Sequence, residues 1–136
     1  MIHAGVYYAP GSLKARLCLE GRAVLERFAE SHDIPVKRCG KVIVALDQRE
    51  VGRLATLHDR AVANGVTDVR SMGPAELAEV EPHVVGVRAL QVPSTSIVDF
   101  ELVARAYADE VRARGGDVML GRRVEDLREE GAASSC

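Results

Sequence analysis

The sequence of 136 residues has no tryptophan, few aromatic residues and only three cysteines. The cysteines are Cys18, Cys39 and Cys136, an odd number without C-x-x-C spacing, so we expect neither a disulfide framework nor a zinc site. This use of cysteine favours the reducing cytoplasm. No apolar run approaches the roughly 20 residues that cross a bilayer, and we therefore expect no transmembrane segment.

An excess of charge of one sign is also lacking. There are 18 basic and 20 acidic residues, and the formal net charge is −2. Because proteins that bind nucleic acids neutralise phosphates with a basic surface, this balance argues against nucleic acid as the main partner. The length fits about one ordinary domain, and 47% hydrophobic residues are enough for a packed core. Composition therefore predicts a globular α/β chain but does not indicate its function.

The twelve glycines nowhere form G-x-G-x-x-G, the turn that places a pyrophosphate at a helix N-terminus. Three of the four histidines, His32, His58 and His83, have no spacing typical of metal ligands, so we interpret them as structural and predict no metal site. Asp99 is best interpreted as a helix cap.

Hydrophobic periodicity predicts helices and short strands in alternation. Helices are expected over residues 13–31, 48–64, 74–80 and 100–114. Strands are expected within residues 36–46, 66–72, 84–92, 117–120 and 123–128. The predicted fold class is α+β or α/β, a mixed sheet with helices on it, whose topology the periodicity leaves open.

Three segments carry a resemblance to a known family. They are residues 3–18 (HAGVYYAPGSLKARLC), residues 37–45 (KRCGKVIVA), and residues 97–99 (IVD) with the helix before Gly115 and Gly116. In this order and spacing they resemble the L-2-hydroxyglutarate dehydrogenases and oxidases, which are FAD-dependent oxidoreductases of the D-amino-acid-oxidase type. The resemblance extends to about residue 128, and its first segment is the most specific.

The resemblance implies part of a two-domain flavoenzyme. A Rossmann-like unit would bind FAD, and a second domain with an antiparallel sheet would cover the flavin and bind substrate. The implied reaction oxidises L-2-hydroxyglutarate to 2-oxoglutarate, with hydride passing to FAD and electrons then to a quinone, another acceptor or oxygen. The family's phosphate-binding turn lies upstream of His3, so we expect an internal part of a longer protein that lacks this N-terminal unit. Attachment to the periphery of the inner membrane is left open.

The same resemblance divides the chain into four parts. Residues 1–35 would form a flavin-proximal loop and a connecting helix, and residues 36–98 the first half of the substrate-binding domain. Residues 99–130 would return, as a helix and strands, to the FAD-binding domain. Residues 131–136 are expected to be an unstructured tail.

Three residues are candidates for the flavin site. Hydroxyl oxidation needs a base, and the resemblance implies that His3 lies beside the isoalloxazine, as that base or as a residue that orders the flavin or its loop. Gly5 would let the backbone approach the ring, or it is an ordinary turn glycine. Val124 is implied to contact the adenine through its main chain.

Five residues are candidates for substrate binding. Tyr7 and Tyr8 could donate hydrogen bonds, and alternation along an extended segment predicts that only one of them faces the site. Lys14, with Lys41 or Arg38, could bind the two carboxylates, and arginine is best suited to a bidentate contact. For each of these cations a solvated surface position is the competing interpretation.

Two other functions remain open. One is an oxidase of the same superfamily that acts on an amino acid or on glycerol 3-phosphate. The other is a non-catalytic α/β interaction module, which the missing phosphate-binding turn favours.

Overall fold

The computed structural model describes residues 1–126, which contain four helices and five short strands. The helices are α1 (Leu13–Ser31), α2 (Gln48–Ala63), α3 (Pro74–Val80) and α4 (Phe100–Ala113). The strands are β1 (Val36–Lys37), β2 (Val42–Ala45), β3 (Arg70–Met72), β4 (Arg88–Gln91) and β5 (Ile97–Val98). The predicted class, helices combined with sheet, is confirmed.

The helices begin where their caps predict. The side chains of Ser12, Asp47 and Asp99 each accept a hydrogen bond from a backbone N–H in the first turn of α1, α2 and α4. Pro74 occupies the first turn of α3, where its missing N–H costs no intrahelical bond. None of the helices in the described part is long and apolar enough to cross a bilayer.

The strands form two antiparallel sheets, β2-β4-β3 and β1-β5. The two sheets share one pair of antiparallel segments, residues 36–45 and residues 88–98. Val36 lies opposite Val98 in one sheet, and Lys41 exchanges backbone hydrogen bonds with Val92 at the start of the other. The register shifts between these points, so the loop 93–96 bulges out of the ladder.

Gly40 lies at this bulge with φ +67°, and a Cβ there would be 3.3 Å from Pro93 Cα. The N-terminal segment joins the sheet at the same place. The Ile2 N–H donates to the Ser96 carbonyl at 2.7 Å, and the Ser96 N–H donates to the Ile2 carbonyl at 3.3 Å. The N-terminal segment is therefore held by backbone hydrogen bonds to the bulged loop.

The core of residues 1–126 consists of four small clusters. Ala45, Leu54 and Leu90 pack between α2 and one face of the three-stranded sheet, while Met72, Leu77 and Ala89 pack with α3 on the other face. The alternation of Ala89 and Leu90 along β4 serves both faces. Ala29, Ile34 and Val103 join α1 to α4. The fourth cluster contains Ala4, Val6, Ala61, Val66 and Val92.

The face of α1 that carries Leu13, Leu17 and Val24 is exposed in this chain, and another face of the helix is buried. Leu13, Leu17 and Val24 are all more than half exposed, and the buried residues of the helix are Ala15 and Ala29. Several apolar side chains of α4 are also exposed, and Val103 is the only buried residue of this helix. Exposed apolar residues on α4 are Phe100, Leu102, Tyr107 and Val111.

His32 joins the two helices that carry these exposed positions. Its ring stacks on Phe28 with centroids 4.1 Å apart, and its Nε2 lies 3.2 Å from a carboxylate oxygen of Glu110 in α4. Phe28 also stacks on Tyr107 of α4, at 4.2 Å. The histidine at the end of α1 is thus part of the packing between α1 and α4.

The strand predictions need several corrections. The strand expected over residues 117–120 is absent, and residues 123–126 also contain no strand, while residues 127 and 128 lie outside the described residues. Met119 and Leu120 are mostly exposed, because the described chain offers this segment no strand to pair with. Within residues 36–46, the run 42–46 expected as a strand forms β2, whereas β1 was not predicted. The strands expected over 66–72 and 84–92 shorten to β3 and β4, and β5 was not predicted. The expected tail, residues 131–136, lies outside the described part.

Candidate functional site

A groove of about 460 Å³ lies between the N-terminal segment, α1 and the start of α4. Its polar lining includes three predicted site residues, His3, Tyr8 and Lys14. Its apolar lining includes Leu17, Leu25 and Phe100. The structure therefore brings three of the residues singled out in the sequence to one surface.

Alternation explains why His3 reaches this groove. Ile2, Ala4 and Val6 are buried, whereas His3 and Tyr7 are exposed. Buried apolar neighbours on both sides hold the backbone against the core, so the imidazole must point away from it.

Cys18 of α1 also contacts this segment. Its thiol donates to the His3 carbonyl at 3.5 Å, which links the histidine backbone to the helix. Sulfur is a weak donor, so this contact is secondary to the pairing of Ile2 with Ser96. The motif of residues 3–18 already contained both ends of the contact, but their proximity requires the turn that precedes α1.

Tyr7 and Tyr8 lie in different surroundings, in a turn over residues 5–8 and not in the extended segment for which alternation is expected. Tyr8 lines the groove, whereas the Tyr7 hydroxyl accepts a hydrogen bond from Lys41 Nζ at 3.2 Å. The same ammonium nitrogen lies 4.3 Å from the centroid of the Tyr7 ring. Lys41 immediately precedes β2, so this contact connects the N-terminal loop to the three-stranded sheet.

Arg38 lies elsewhere. Its guanidinium donates to a carboxylate oxygen of Glu26 in α1 at 3.0 Å, and both residues line a different groove, formed by α1 and the segment around β1. Lys41 is in contact with a tyrosine of the loop, whereas Arg38 is already paired with an anion. The geometry thus favours Lys41 over Arg38 as the second cation, and the role of either residue stays a prediction.

Gly5 and Val124, the two residues expected to contact FAD, differ in their setting. Gly5 is buried, with φ +85°, and shapes the turn between His3 and the tyrosines. Val124 is 73% exposed in a segment without a strand, so the structure gives it no partner that would define a site. Both cofactor contacts stay predictions.

Asn64 contacts the loop next to the groove, a contact that the sequence did not reveal. Its side-chain Nδ2 donates to the carbonyls of Gly5 at 2.9 Å and Tyr8 at 3.0 Å. In the sequence, the pair Asn64-Gly65 indicates only the end of a helix. Because the burial of Asn64 is a property of the tertiary structure, the sequence offered no signal for this contact.

Within residues 1–126, no group of three His, Cys, Asp or Glu side chains has an arrangement that could hold a metal ion.

The model of one protein family, described as FAD dependent oxidoreductase (DAO), matches residues 1–135. An L-2-hydroxyglutarate dehydrogenase from Indibacter alkaliphilus is 44% identical over 134 residues, which are 98% of this chain and 34% of the relative. A mitochondrial L-2-hydroxyglutarate dehydrogenase from Nematostella vectensis is 43% identical over 128 residues, which are 94% of this chain and 28% of the relative. The chain thus spans about a third of the length of these relatives.

Solved structures show the same fold at low sequence identity. L-alpha-glycerophosphate oxidase from Mycoplasma pneumoniae, solved with FAD bound, has a TM-score of 0.79 and 22% identity, over 87% of this chain and 32% of that one. L-proline dehydrogenase from P. horikoshii has a TM-score of 0.75 and 17% identity, over 90% of this chain and 33% of that one. Because the family model covers nearly every residue, the chain belongs to the DAO family of FAD-dependent oxidoreductases.

Proposed function

We propose that this chain supplies the flavin-facing loop and part of the substrate-binding region of an FAD-dependent enzyme that oxidises L-2-hydroxyglutarate to 2-oxoglutarate. The observation that carries the proposal is the groove lined by His3, Tyr8 and Lys14. The names of relatives 43% and 44% identical support the substrate. The division into residues 1–35, 36–98, 99–130 and 131–136 is part of the same proposal.

The groove residues fit one face of a flavin ring. Leu17, Leu25 and Phe100 provide apolar contact, and Gly21 leaves room because it has no side chain. His3 and Tyr8 provide polar atoms at the same surface. The 136 residues contain no G-x-G-x-x-G turn, so the FAD phosphates would be held by another part of a longer polypeptide. When bound, FAD supplies the hydride acceptor.

His3 would accept the proton of the substrate hydroxyl. Histidine is suited to this role because an imidazole can take up and release a proton near neutral pH. Its side chain is exposed and free to meet a ligand, while its backbone is held by the pairing of Ile2 and by Cys18. If His3 instead only contacts the flavin, the proton acceptor must be another group.

Lys14 and Lys41 would bind the two carboxylates of the substrate. Lys14 lines the groove, and Lys41 contacts Tyr7 of the loop next to it. Two separate ammonium groups match the two anionic ends of a dicarboxylate. The Tyr7 hydroxyl accepts from Lys41 and therefore keeps its own O–H for donation to a substrate oxygen.

A quinone or oxygen as electron acceptor, and a cytoplasmic location with or without attachment to the periphery of the inner membrane, complete the proposal. The electron acceptor follows from the family resemblance, and the cytoplasmic location follows from the use of cysteine.

The test uses the full-length flavoprotein without oxygen. L-2-hydroxyglutarate, its D-enantiomer, glycerol 3-phosphate and L-proline are mixed separately with the protein, and loss of oxidised-flavin absorbance is followed. Fast reduction by L-2-hydroxyglutarate alone is the expected result. Faster reduction by glycerol 3-phosphate or an amino acid would replace the proposed substrate, and no reduction by any of them would favour a non-catalytic module.

A further inference from the structure

We propose that Asn64 is a positioning residue, which holds the loop of residues 5–8 in the shape that places Tyr8 in the groove and Tyr7 beside Lys41. This loop is called the tyrosine loop below. The inference rests on the proposed function for its effect on catalysis, whereas the contact itself is a property of this chain.

The Asn64 amide uses both of its hydrogens on the tyrosine loop. One nitrogen, Nδ2, donates to the Gly5 carbonyl at 2.9 Å and to the Tyr8 carbonyl at 3.0 Å. An amide nitrogen carries two hydrogens, so its donor capacity is fully used. Asn64 is only 8% exposed, and water therefore cannot easily replace it as the donor.

Asn64 can act as a fixed point because the end of α2 is itself held in place. The Val66 N–H donates to the Ala61 carbonyl and the Gly65 N–H donates to the Val62 carbonyl, both at 2.9 Å. This pair of bonds, with Gly65 at φ +82°, is a Schellman motif. Ala61 and Val66 also pack in the cluster that contains Ala4 and Val6.

The tyrosine loop depends on this donor. Its turn at Gly5, with φ +85°, directs the carbonyls of Gly5 and Tyr8 toward the interior, where an unpaired carbonyl is unfavourable. Without the amide the loop must rearrange to find other donors. Tyr7 would then leave Lys41, and Tyr8 would leave the groove.

The contact can be measured directly, because Asn64 is the only asparagine of the chain. Labelling the 136-residue chain with ¹⁵N-asparagine gives one side-chain amide, whose two protons are read by NMR. We expect two separate resonances, both protected from exchange with water. Two rapidly exchanging protons at the positions of a free asparagine amide would overturn the proposal.

The effect on substrate binding is tested in the full-length flavoprotein with Asn64→Ala. The matched control is Gln48→Ala, which removes an exposed amide at the other end of α2. We expect KM to rise about tenfold in Asn64→Ala, more than kcat falls, with flavin content unchanged, since misplacing a substrate-contacting loop weakens binding. In Gln48→Ala, KM and kcat should be unchanged.

The outcomes separate the two proposals. An unchanged KM in Asn64→Ala, or an equal change in Gln48→Ala, overturns the positioning role. If Asn64→Ala does not fold, the NMR result for the unaltered chain decides. If the unaltered flavoprotein does not oxidise L-2-hydroxyglutarate, the proposed function and the catalytic part of this inference fall together, and NMR still decides whether Asn64 holds the loop.

Discussion

The Lys41 ammonium nitrogen contacts both the hydroxyl and the ring of Tyr7. It lies 3.2 Å from the hydroxyl oxygen and 4.3 Å from the ring centroid. A cation over an exposed aromatic face contributes about 0.5–1 kcal/mol. The contact is therefore too weak to determine the fold. Its importance is that it places a cation and a hydroxyl side by side next to the loop that carries His3.

Replacing Lys41 tests this arrangement. In the full-length flavoprotein, Lys41→Met should raise KM for the dicarboxylate about tenfold and change kcat less, because a charge-assisted contact made in both ground and transition state is lost. Lys37→Met is the matched control, since Lys37 is exposed on β1. Equal KM values in the two variants would remove Lys41 from the substrate site.

His3→Asn tests the proposed base. If His3 accepts the hydroxyl proton, kcat and kcat/KM should fall together by about 10²–10⁴-fold, and the acidic limb of the pH–rate profile should disappear. His83→Asn, at an exposed loop position, is the control. A variant with weaker FAD affinity but an unchanged pH profile at saturating FAD would assign His3 to flavin contact. A variant with normal flavin content, rate and pH dependence would exclude His3 from the site.

Gly40→Ala should destabilise the chain by about 1–2 kcal/mol, because φ +67° is unfavourable for alanine and its Cβ would lie 3.3 Å from Pro93 Cα. Gly52→Ala in α2 is the matched control. A Cβ at Gly52 meets nothing within 4 Å, so alanine should stabilise the helix by about 0.5–1 kcal/mol. Urea unfolding measures both. Equal stability of the two variants would contradict the role assigned to the bulge.

The 136-residue chain alone should not retain FAD. The groove is proposed to contact the flavin ring, but no segment has the glycine turn that binds the pyrophosphate. The measurement is flavin absorbance after gel filtration of the chain mixed with FAD, with a full-length flavoprotein of the family as control. Near-stoichiometric flavin in the protein peak would show that the chain holds phosphates by residues we have not identified.

Local chemistry made the helices predictable. Ser12, Asp47 and Asp99 are caps in sequence and in structure, because a cap needs only the N–H groups two or three residues away. The strands were predicted less well. The run of residues 42–46 predicts β2, but β1 and β5 were missed, because they form by pairing with each other across a distance of about 60 residues in the sequence.

The candidate site also has features that the sequence predicts and features that depend on the tertiary structure. His3, Tyr8 and Lys14 all belong to the motif of residues 3–18 and line one groove, since they lie in a short continuous segment; their roles stay predictions. That Lys41 and not Arg38 lies against the loop depends on Glu26, which pairs with the arginine from α1.

By itself, the sequence determined the family resemblance, the helix boundaries and the loop that carries the proposed site, all of which are encoded in neighbouring residues. Only the tertiary structure decided that Asn64 supports this loop, since its partners Gly5 and Tyr8 are 59 and 56 residues away. No local pattern encodes such a contact. It forms because packing of Ala4 and Val6 against Ala61 and Val66 brings the end of α2 to the loop, where two inward carbonyls need a donor.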